Sequence, residues 1–341
     1  MTPTVAFYPT GARPRAVAVA DFDGDGRMDV AVANGGDGTV TLRFGAADGA
    51  LARAASVAAG REPADIRAAR LDTDRDVDIV VANHETSYVT VLANDGHGGF
   101  SPAPGSPLET GAQPHVHGVV VTDLDGDGWN DLAVESADTR EIRVLRGGPD
   151  GFAAAIGVAV GTMPYSRIGA SAPGTREVPA ILVPGHGDRT VRAVEHSAGG
   201  PRLASLTLRT TSQPWMVAGG DVNGDRRNDV AVVETDAVSV WIASERGFDA
   251  SPTIRVPLRG ATEVVLGDLD GDGRDDVAVA PWDGESITLL LEGAMTTRTV
   301  RACERPVGLA IADVTGDGRP ELLATCLTTD RLAVVSFDAG R

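Results

Sequence analysis

The sequence lacks the features that would place it among membrane or helical proteins. It contains no run of 18 apolar residues, which excludes a helical membrane span. No stretch of 11 residues or more has helical periodicity. The first residues, Met1-Thr2-Pro3-Thr4, lead directly into a predicted strand, so no signal peptide is expected in this sequence. We therefore expect an all-β chain.

Cysteine and aromatic residues are also scarce. Cys303 and Cys326 are the only cysteines in 341 residues, which excludes a disulfide network. They form either one bridge or two buried free thiols, and we expect the free thiols. Aromatic residues make up 4% of the chain, whereas hydrophobic residues reach 42%. A core of small residues in closely packed sheets is predicted.

Basic residues are fewer than acidic ones, and the common catalytic motifs are missing. The chain has 30 Lys and Arg against 48 Asp and Glu, and its net charge is −18. Without a basic stripe, nucleic acid is not expected as a partner. Neither Gly-x-Ser-x-Gly nor His-Glu-x-x-His occurs, so no nucleophile elbow or zinc-protease helix is predicted.

The most informative stretch that is present is an acidic loop over residues 21–29. Its carboxylates fall at loop positions 1, 3, 5 and 9, and two glycines allow a sharp turn. The start matches an EF-hand loop, but position 12 is Val32 instead of the bidentate Glu that an EF-hand requires. The residues after Asp29 have a strand pattern. The stretch therefore predicts a short calcium loop between two strands.

The loop recurs, starting at residues 123, 221, 268 and 313, and position 12 is apolar in every copy. We predict one Ca²⁺ for each of the five copies, bound by the side chains at positions 1, 3, 5 and 9 and by the backbone carbonyl of position 7. The residues at these positions are Asp21, Asp23, Asp25, Arg27, Asp29, Asp123, Asp125, Asp127, Trp129, Asp131, Asp221, Asn223, Asp225, Arg227, Asp229, Asp268, Asp270, Asp272, Arg274, Asp276, Asp313, Thr315, Asp317, Arg319 and Glu321.

Two degenerate copies, starting at residues 70 and 171, complete the series. Arg70 occupies the first ligand position of one copy, and residues 171–179 retain almost no ligands. We predict that both bind no ion and that the Arg70 guanidinium replaces the cation. The seven starts are separated by 49, 53, 48, 50, 47 and 45 residues. A period near 50 indicates a repeat architecture.

Each repeat predicts four short strands, which in the first unit cover residues 15–20, 29–33, 39–44 and 52–58. Four-stranded units at this period are typical of propeller blades. We predict one seven-bladed β-propeller domain over residues 1–341. The chain starts with an isolated strand at 4–9 and ends with the third strand of a unit at 332–337. Pairing of these two strands would complete the last blade and close the ring.

These loops resemble those of the FG-GAP/VCBS-type calcium-loop propellers, which include the integrin α-subunit head and several mushroom and bacterial lectins. The resemblance covers the whole chain. Gly99-Phe100, Gly151-Phe152 and Gly247-Phe248 are closer to the VCBS variant than Phe44-Gly45-Ala46 is to the FG-GAP cage. The family spans adhesion, sugar binding and enzymes, so it implies a fold and not an activity. Its calcium loops imply an extracellular setting, and we favour export although no signal peptide is predicted.

The two rims of such a propeller differ in this sequence. The acidic loops repeat on one rim, whereas the corners before each first strand and the loops after each second strand vary on the opposite rim. The candidate catalytic residues on the variable rim are Glu62, His115, His117, Tyr165 and Arg167. The candidate ligand-binding residues there are Arg15, His84, His186, Gln213, Trp215, Trp282 and Arg305. We expect one concave site over the central funnel.

Two classes of function fit this site. One asymmetric site could bind a small molecule or saccharide, as a monomeric lyase, isomerase or cyclase in which His or Glu transfers a proton and Arg or Tyr stabilises negative charge. The alternative is a sugar-binding lectin or a protein-interaction and adhesion module. A multivalent lectin would repeat its pocket between blades, and this rim does not repeat. His115 and His117 could be a metal pair, but the sequence identifies no third ligand, and Trp215 and Trp282 could only cap the channel.

Overall fold

The protein folds as seven β-sheets arranged in a ring. The computed structural model describes residues 3–165, 167–171, 180–294 and 296–337, and no helix occurs among them. No element of this described part is therefore a helix that could cross a membrane. The first strands of adjacent sheets contact one another around a closed circle. The predicted all-β, seven-bladed propeller is confirmed.

The described residues form 29 strands, four to each blade in most cases. Blade 1 contains β2 (Pro14–Ala20), β3 (Asp29–Asn34), β4 (Thr39–Gly45) and β5 (Leu51–Ala58). Blade 2 contains β6 (Pro63–Ala69), β7 (Asp78–Asn83), β8 (Tyr88–Asn94), β9 (Phe100–Pro102) and β10 (Leu108–Glu109), with β9 and β10 both pairing with β8. Blade 3 contains β11 (Val119–Thr122), β12 (Asp131–Ser136), β13 (Glu141–Leu145) and β14 (Ile156–Ala159).

The remaining four blades follow the same order. Blade 4 contains β15 (Gly169–Ser171), β16 (Ala180–Gly185), β17 (Thr190–Ser197) and β18 (Gly200–Arg209). Blade 5 contains β19 (Pro214–Gly220), β20 (Asp229–Glu234), β21 (Ala237–Trp241) and β22 (Ile254–Pro257). Blade 6 contains β23 (Ala261–Gly267), β24 (Asp276–Pro281), β25 (Ser286–Leu291) and β26 (Thr296–Arg301). Blade 7 contains β27 (Pro306–Ala312), β28 (Glu321–Cys326), β29 (Arg331–Phe337) and β1 (Pro3–Pro9).

The ring is closed by the first strand of the chain. Strand β1 pairs antiparallel with β29 over their whole lengths, from Pro3 opposite Phe337 to Pro9 opposite Arg331. The predicted closure of the last blade is confirmed. It covers the edge of β29, which would otherwise present unpaired backbone groups.

The core consists of seven apolar layers, one between each pair of neighbouring blades. Alternate residues of a central strand face the two neighbours, because side chains alternate along a strand. In β3, Val30 and Val32 pack towards blade 7, whereas Ala31 and Ala33 pack towards blade 2. All four are fully buried. Such layers are filled by Val, Ala and Leu, which explains the low aromatic content.

Cys303 and Cys326 form a disulfide, so the expectation of two free thiols is wrong. Cys303 precedes β27 and Cys326 ends β28, which brings their Cα atoms to 5.9 Å. The sequence shows only two distant cysteines, and their proximity arises from the antiparallel pairing of β27 with β28. The bridge ties the entry of blade 7 to its second strand.

Reduction of this bridge is expected to cost about 3 kcal/mol of stability, because the 23-residue separation gives a closed loop whose opening raises the entropy of the unfolded chain. Urea unfolding with and without reductant measures the change. The variant with both Cys303→Ala and Cys326→Ala is the control and should show no response to reductant. A wild-type midpoint that does not move under reducing conditions would contradict the prediction.

Candidate functional site

The variable rim begins at a corner that recurs in successive blades. A residue shortly before the first strand has a left-handed backbone in blades 1, 2, 3 and 7. These residues are Arg13, Glu62, His115 and Arg305, with φ of 51°, 46°, 92° and 51°. Side chains other than glycine rarely adopt this conformation. In these blades the residues after the corner therefore reach the same rim.

Six rings from four blades form one connected cluster on this rim. Its members are His84, His115, His117, Tyr165, His186 and Trp215. The ring centroids of His84 and His117 are 5.0 Å apart, and those of His117 and Tyr165 are 4.8 Å apart. The chain of contacts ends with His186 and Trp215, at 4.7 Å. We call these six residues the ring cluster. They are half-buried, except for His115, which is exposed.

Carboxylates lie beside the histidines of the ring cluster. The Nδ1 atom of His84 is 3.3 Å from an oxygen of Glu62, and Nδ1 of His115 is 3.4 Å from one of Glu85. Glu135 is fully buried below them and accepts the backbone N–H groups of His117 and Gly118. Burial raises the pKa of Glu135. Burial and the neighbouring His117 lower the pKa of His84, which favours its neutral form.

Arg167 occupies the centre of the channel and not its mouth. Its Nη1 donates to both carboxylate oxygens of Glu263, at 2.8 and 2.7 Å. Its Nη2 donates to the backbone carbonyl oxygens of Ala64 and Arg15, at 2.9 and 3.3 Å. The same guanidinium lies 4.0 Å from Asp65. Residues of blades 1, 2, 4 and 6 therefore meet at one side chain. The guanidinium N–H groups of Arg167, which we expected to contact a ligand, are therefore bound to partners within the protein.

The other predicted ligand-binding residues lie apart from the ring cluster. Arg305 places its guanidinium 4.9 Å from the ring centre of Trp282, which is 52% exposed, and pairs with Asp283 at 3.4 Å. Burial and the nearby Arg13 lower the pKa of Arg15. Gln213 is exposed. Within the described residues, no ring contact joins Trp282 to the ring cluster.

The acidic loops all lie at the opposite ends of the first strands and share one local structure. The position 1 carboxylate accepts the backbone N–H of position 4 at 2.7–2.8 Å, as between Asp21 and Gly24. In three loops the carboxylate oxygens of three aspartates lie within 4.8 Å of one another. These groups are Asp21, Asp23 and Asp29; Asp123, Asp125 and Asp127; and Asp268, Asp270 and Asp276.

The position 9 carboxylate also accepts hydrogen bonds from the backbone of its own blade. Asp29 accepts the backbone N–H groups of Phe22 and Gly45, both at 2.8 Å, and so ties the loop to the end of the third strand. Asp78 does the same in the degenerate loop of blade 2, where its partners are Leu71 and Asn94. Since that loop has Arg70 at position 1, the carboxylate at position 9 supports the blade irrespective of metal. Arg70 itself donates from Nε to the carbonyl of Arg75 at 3.0 Å.

Comparison with known proteins identifies the repeats. The FG-GAP-like repeat family matches residues 21–81, 70–134 and 203–279, which together cover more than half of the chain. The chain belongs to the FG-GAP-like repeat family. No curated protein matches the sequence. The blade 4 loop, starting at 171, lies between the matched ranges, and its residues 172–179 fall outside the described part of the chain.

Solved structures share the fold of this FG-GAP-like propeller. One is a crystal structure of BBS1N in complex with ARL6DN, soaked with lead, at 16% identity and a TM-score of 0.67, covering 98% of this chain and 95% of that chain. Another is the same complex soaked with mercury, at 16% identity and a TM-score of 0.69, covering 98% of this chain and 97% of that one. At this identity the likeness shows the fold.

The sequence did not reveal two features of the variable rim and the channel below it. Sequence reasoning named His84, His115 and His117 separately but did not find that His84 is the third member of a histidine group. It also missed Asp65 and Glu263, the buried partners of Arg167. The available signal was the presence of charged residues inside otherwise apolar first strands, as in Pro63–Ala69 and Ala261–Gly267.

Proposed function

We propose that this FG-GAP-like propeller is a binding module whose variable rim binds one segment of a protein partner. The ring cluster carries the proposal, because it joins imidazole, phenol and indole rings of four blades into one partly exposed surface. Aromatic side chains dominate the energetics of protein interfaces, since they bury large areas at a low cost in side-chain entropy. The cluster does not repeat around the ring, which favours one partner per chain.

A structural neighbour supports the choice of a protein as partner. BBS1N, which shares the fold, was crystallised in complex with ARL6DN. The enzymatic alternative has less support from the geometry. Arg167, one of the five candidate catalytic residues, is bound by Glu263 and two carbonyl groups and is therefore not available to reacting atoms. Saccharide and small-molecule binding are retained as outcomes of the test.

The test uses a displayed peptide library selected on the full chain, with Trp215→Ala as the site variant and Trp129→Ala as the matched control. Trp129 is also half-buried but belongs to the acidic loop of blade 3, on the opposite rim. Selected peptides should bind wild type and Trp129→Ala equally and Trp215→Ala at least about tenfold more weakly, because removing an aromatic anchor costs 1–2 kcal/mol or more. Tyr165→Ala should act like Trp215→Ala.

The opposite results would overturn the proposal. Peptides that bind both tryptophan variants equally would show that the ring cluster is not the binding surface. A glycan array that saturates at several ligands per chain would favour the lectin instead. Turnover of a small molecule that is lost in His117→Ala would favour the enzyme.

We also propose that the five intact acidic loops bind Ca²⁺ and clamp the first two strands of blades 1, 3, 5, 6 and 7. The donor sets are oxygens of Asp, Asn, Thr and Glu together with backbone carbonyls, which suit a hard cation. An oxygen of Asp23 and one of Asp276 are buried and have no hydrogen-bond partner, so the loops starting at 21 and 268 each offer an unused acceptor. The ion would supply the positive charge that close carboxylates require and takes no part in the proposed partner site.

A further inference from the structure

We propose that His84, His115 and His117 form a binding site for one divalent late transition-metal ion, with Zn²⁺ as the best-matched ion. One ring nitrogen from each histidine lies within 4.8 Å of those of the other two. Nitrogens bound to one Zn²⁺ at about 2.0–2.1 Å are roughly 3.3 Å apart in tetrahedral geometry. Small rotations of the rings therefore bring all three nitrogens onto a common centre. His84 follows β7, and the other two precede β11, so the site bridges blades 2 and 3.

The carboxylates beside the three rings are arranged as metal sites commonly arrange them. A histidine that binds a metal usually directs its other ring nitrogen at a carboxylate, which fixes the tautomer and the ring orientation. Here Nδ1 of His84 faces Glu62 at 3.3 Å, Nδ1 of His115 faces Glu85 at 3.4 Å and Nδ1 of His117 faces Glu135 at 3.3 Å. Every ring therefore has a carboxylate within 3.4 Å of its Nδ1, and the contact of His84 with Glu62 is a hydrogen bond.

One buried nitrogen argues against a purely structural role for the histidines. Nδ1 of His117 is buried, and although it lies near Glu135 it makes no hydrogen bond of acceptable geometry. Ring-to-ring packing alone leaves this nitrogen without a partner.

The ligand type selects the class of metal. Neutral imidazoles prefer Zn²⁺, Cu²⁺, Ni²⁺ and Co²⁺, whereas Ca²⁺ and Mg²⁺ prefer oxygen ligands. The site therefore differs from the acidic loops on the opposite rim. Three protein ligands beside an exposed face leave a fourth coordination position open towards the funnel, as in catalytic rather than structural zinc sites.

This inference goes beyond the proposed partner binding and does not depend on it. The metal site uses three members of the ring cluster, and the other three, Tyr165, His186 and Trp215, take no part. Variants of the two groups should therefore separate the two properties. Trp215→Ala should weaken peptide binding and retain the ion, and His84→Ala should lose the ion.

The experiment titrates the full chain, free of any affinity tag, with Zn²⁺ by calorimetry and with Co²⁺ by visible absorption. Excess Ca²⁺ is present throughout so that the acidic loops do not compete. We expect one ion per chain with a Kd below about 10 μM, or about 7 kcal/mol of binding. His84→Ala and His115→Ala should each weaken binding at least about 100-fold. Glu85→Gln should weaken it about 10-fold, since it removes the carboxylate behind His115.

Two matched histidine variants serve as controls. His186→Ala changes a ring-cluster histidine outside the site, and His97→Ala changes a histidine in the turn between β8 and β9; both should bind the ion like wild type. Since His115 is exposed, His115→Ala is expected to fold normally, which its melting temperature will show. The proposal is overturned if the Kd is weaker than about 10 μM, or if tight binding survives both His84→Ala and His115→Ala.

Discussion

Replacing Arg167 with Met is expected to destabilise the propeller by about 3–5 kcal/mol, the range found when one partner of a buried ion pair is removed. The guanidinium holds both oxygens of Glu263 within 2.8 Å, and it lies 4.0 Å from Asp65. Met fills a similar volume but leaves the Glu263 carboxylate buried without its counter-charge. The carbonyl oxygens of Ala64 and Arg15 also lose a donor. The loss should be measured as a shift of the urea midpoint with an unchanged slope.

The loss of stability caused by Arg167→Met should grow as the pH rises. Burial already raises the pKa of Glu263 to about 7, and loss of the guanidinium raises it further. The folded variant then retains a proton that the unfolded chain releases near its ordinary pKa of 4.5. Because the folded state binds more protons, stability falls as pH rises above that value. Arg167→Met should therefore be closer to wild type at pH 5 than at pH 8.

Two further variants define the origin of the effect. Arg301→Met removes a surface arginine, 76% exposed, from its pair with Glu285 and should cost no more than about 1 kcal/mol. Adding Glu263→Met to Arg167→Met removes the uncompensated carboxylate and should recover a large part of the loss. If Arg167→Met costs no more than Arg301→Met, then the channel pair does not hold the blades together.

Removal of calcium is expected to have the second large effect. If the proposed ions bind the folded chain alone, each site contributes about 2.7 kcal/mol when free Ca²⁺ is 100 times its Kd. Five sites would together contribute on the order of 10 kcal/mol. Excess EGTA should therefore lower the melting temperature sharply, and added Ca²⁺ should restore it. A melting temperature that EGTA does not change would exclude this stabilising role.

Individual loops provide the control for calcium. Asp268→Ala, in an intact loop, should reduce both the number of bound ions and the response to EGTA. Asp72→Ala, in the degenerate loop of blade 2, should change neither. Without an ion, burial and neighbouring aspartates raise the pKa of Asp276 to about 7 and that of Asp229 to about 6. Protons and Ca²⁺ compete for these groups, so calcium should stabilise the protein more at pH 8 than at pH 5.

The fold could be predicted from the sequence because it repeats. A glycine-rich acidic loop at a period near 50 residues sets the start of every unit, and the out-of-phase end strands predict the closure by β1 and β29. The positions of His115, His117, Tyr165 and Trp215 also follow from the repeat, since equivalent residues of successive blades meet on one rim. Each predicted strand of blade 1 differs from the observed one by one residue at one end, as Pro14–Ala20 and Leu51–Ala58 show.

The contacts between blades could not be predicted in the same way. Arg167, Asp65 and Glu263 are separated by up to 198 positions in the sequence, and they meet only because the ring brings blades 2, 4 and 6 to a common centre. The convergence of His84 with His115 and His117 depends on the twist of two neighbouring sheets. The Cys303–Cys326 bridge depends on the register between β27 and β28. A repeat period carries no information on these distances.

The pairing of β1 with β29 has a consequence for biosynthesis. Strand β1 is synthesised before the other described strands, whereas its partner β29 is the last of them, so β1 stays unpaired while blades 1 to 6 are synthesised. Its residues Phe7 and Tyr8 are then exposed to other chains. Blade 7 cannot form before β29 emerges, and blade 1 lacks one of its two packing neighbours until then. We therefore expect slow ring closure to govern the yield of folded protein, and a shortened chain without β1 to associate through the free edge of β29.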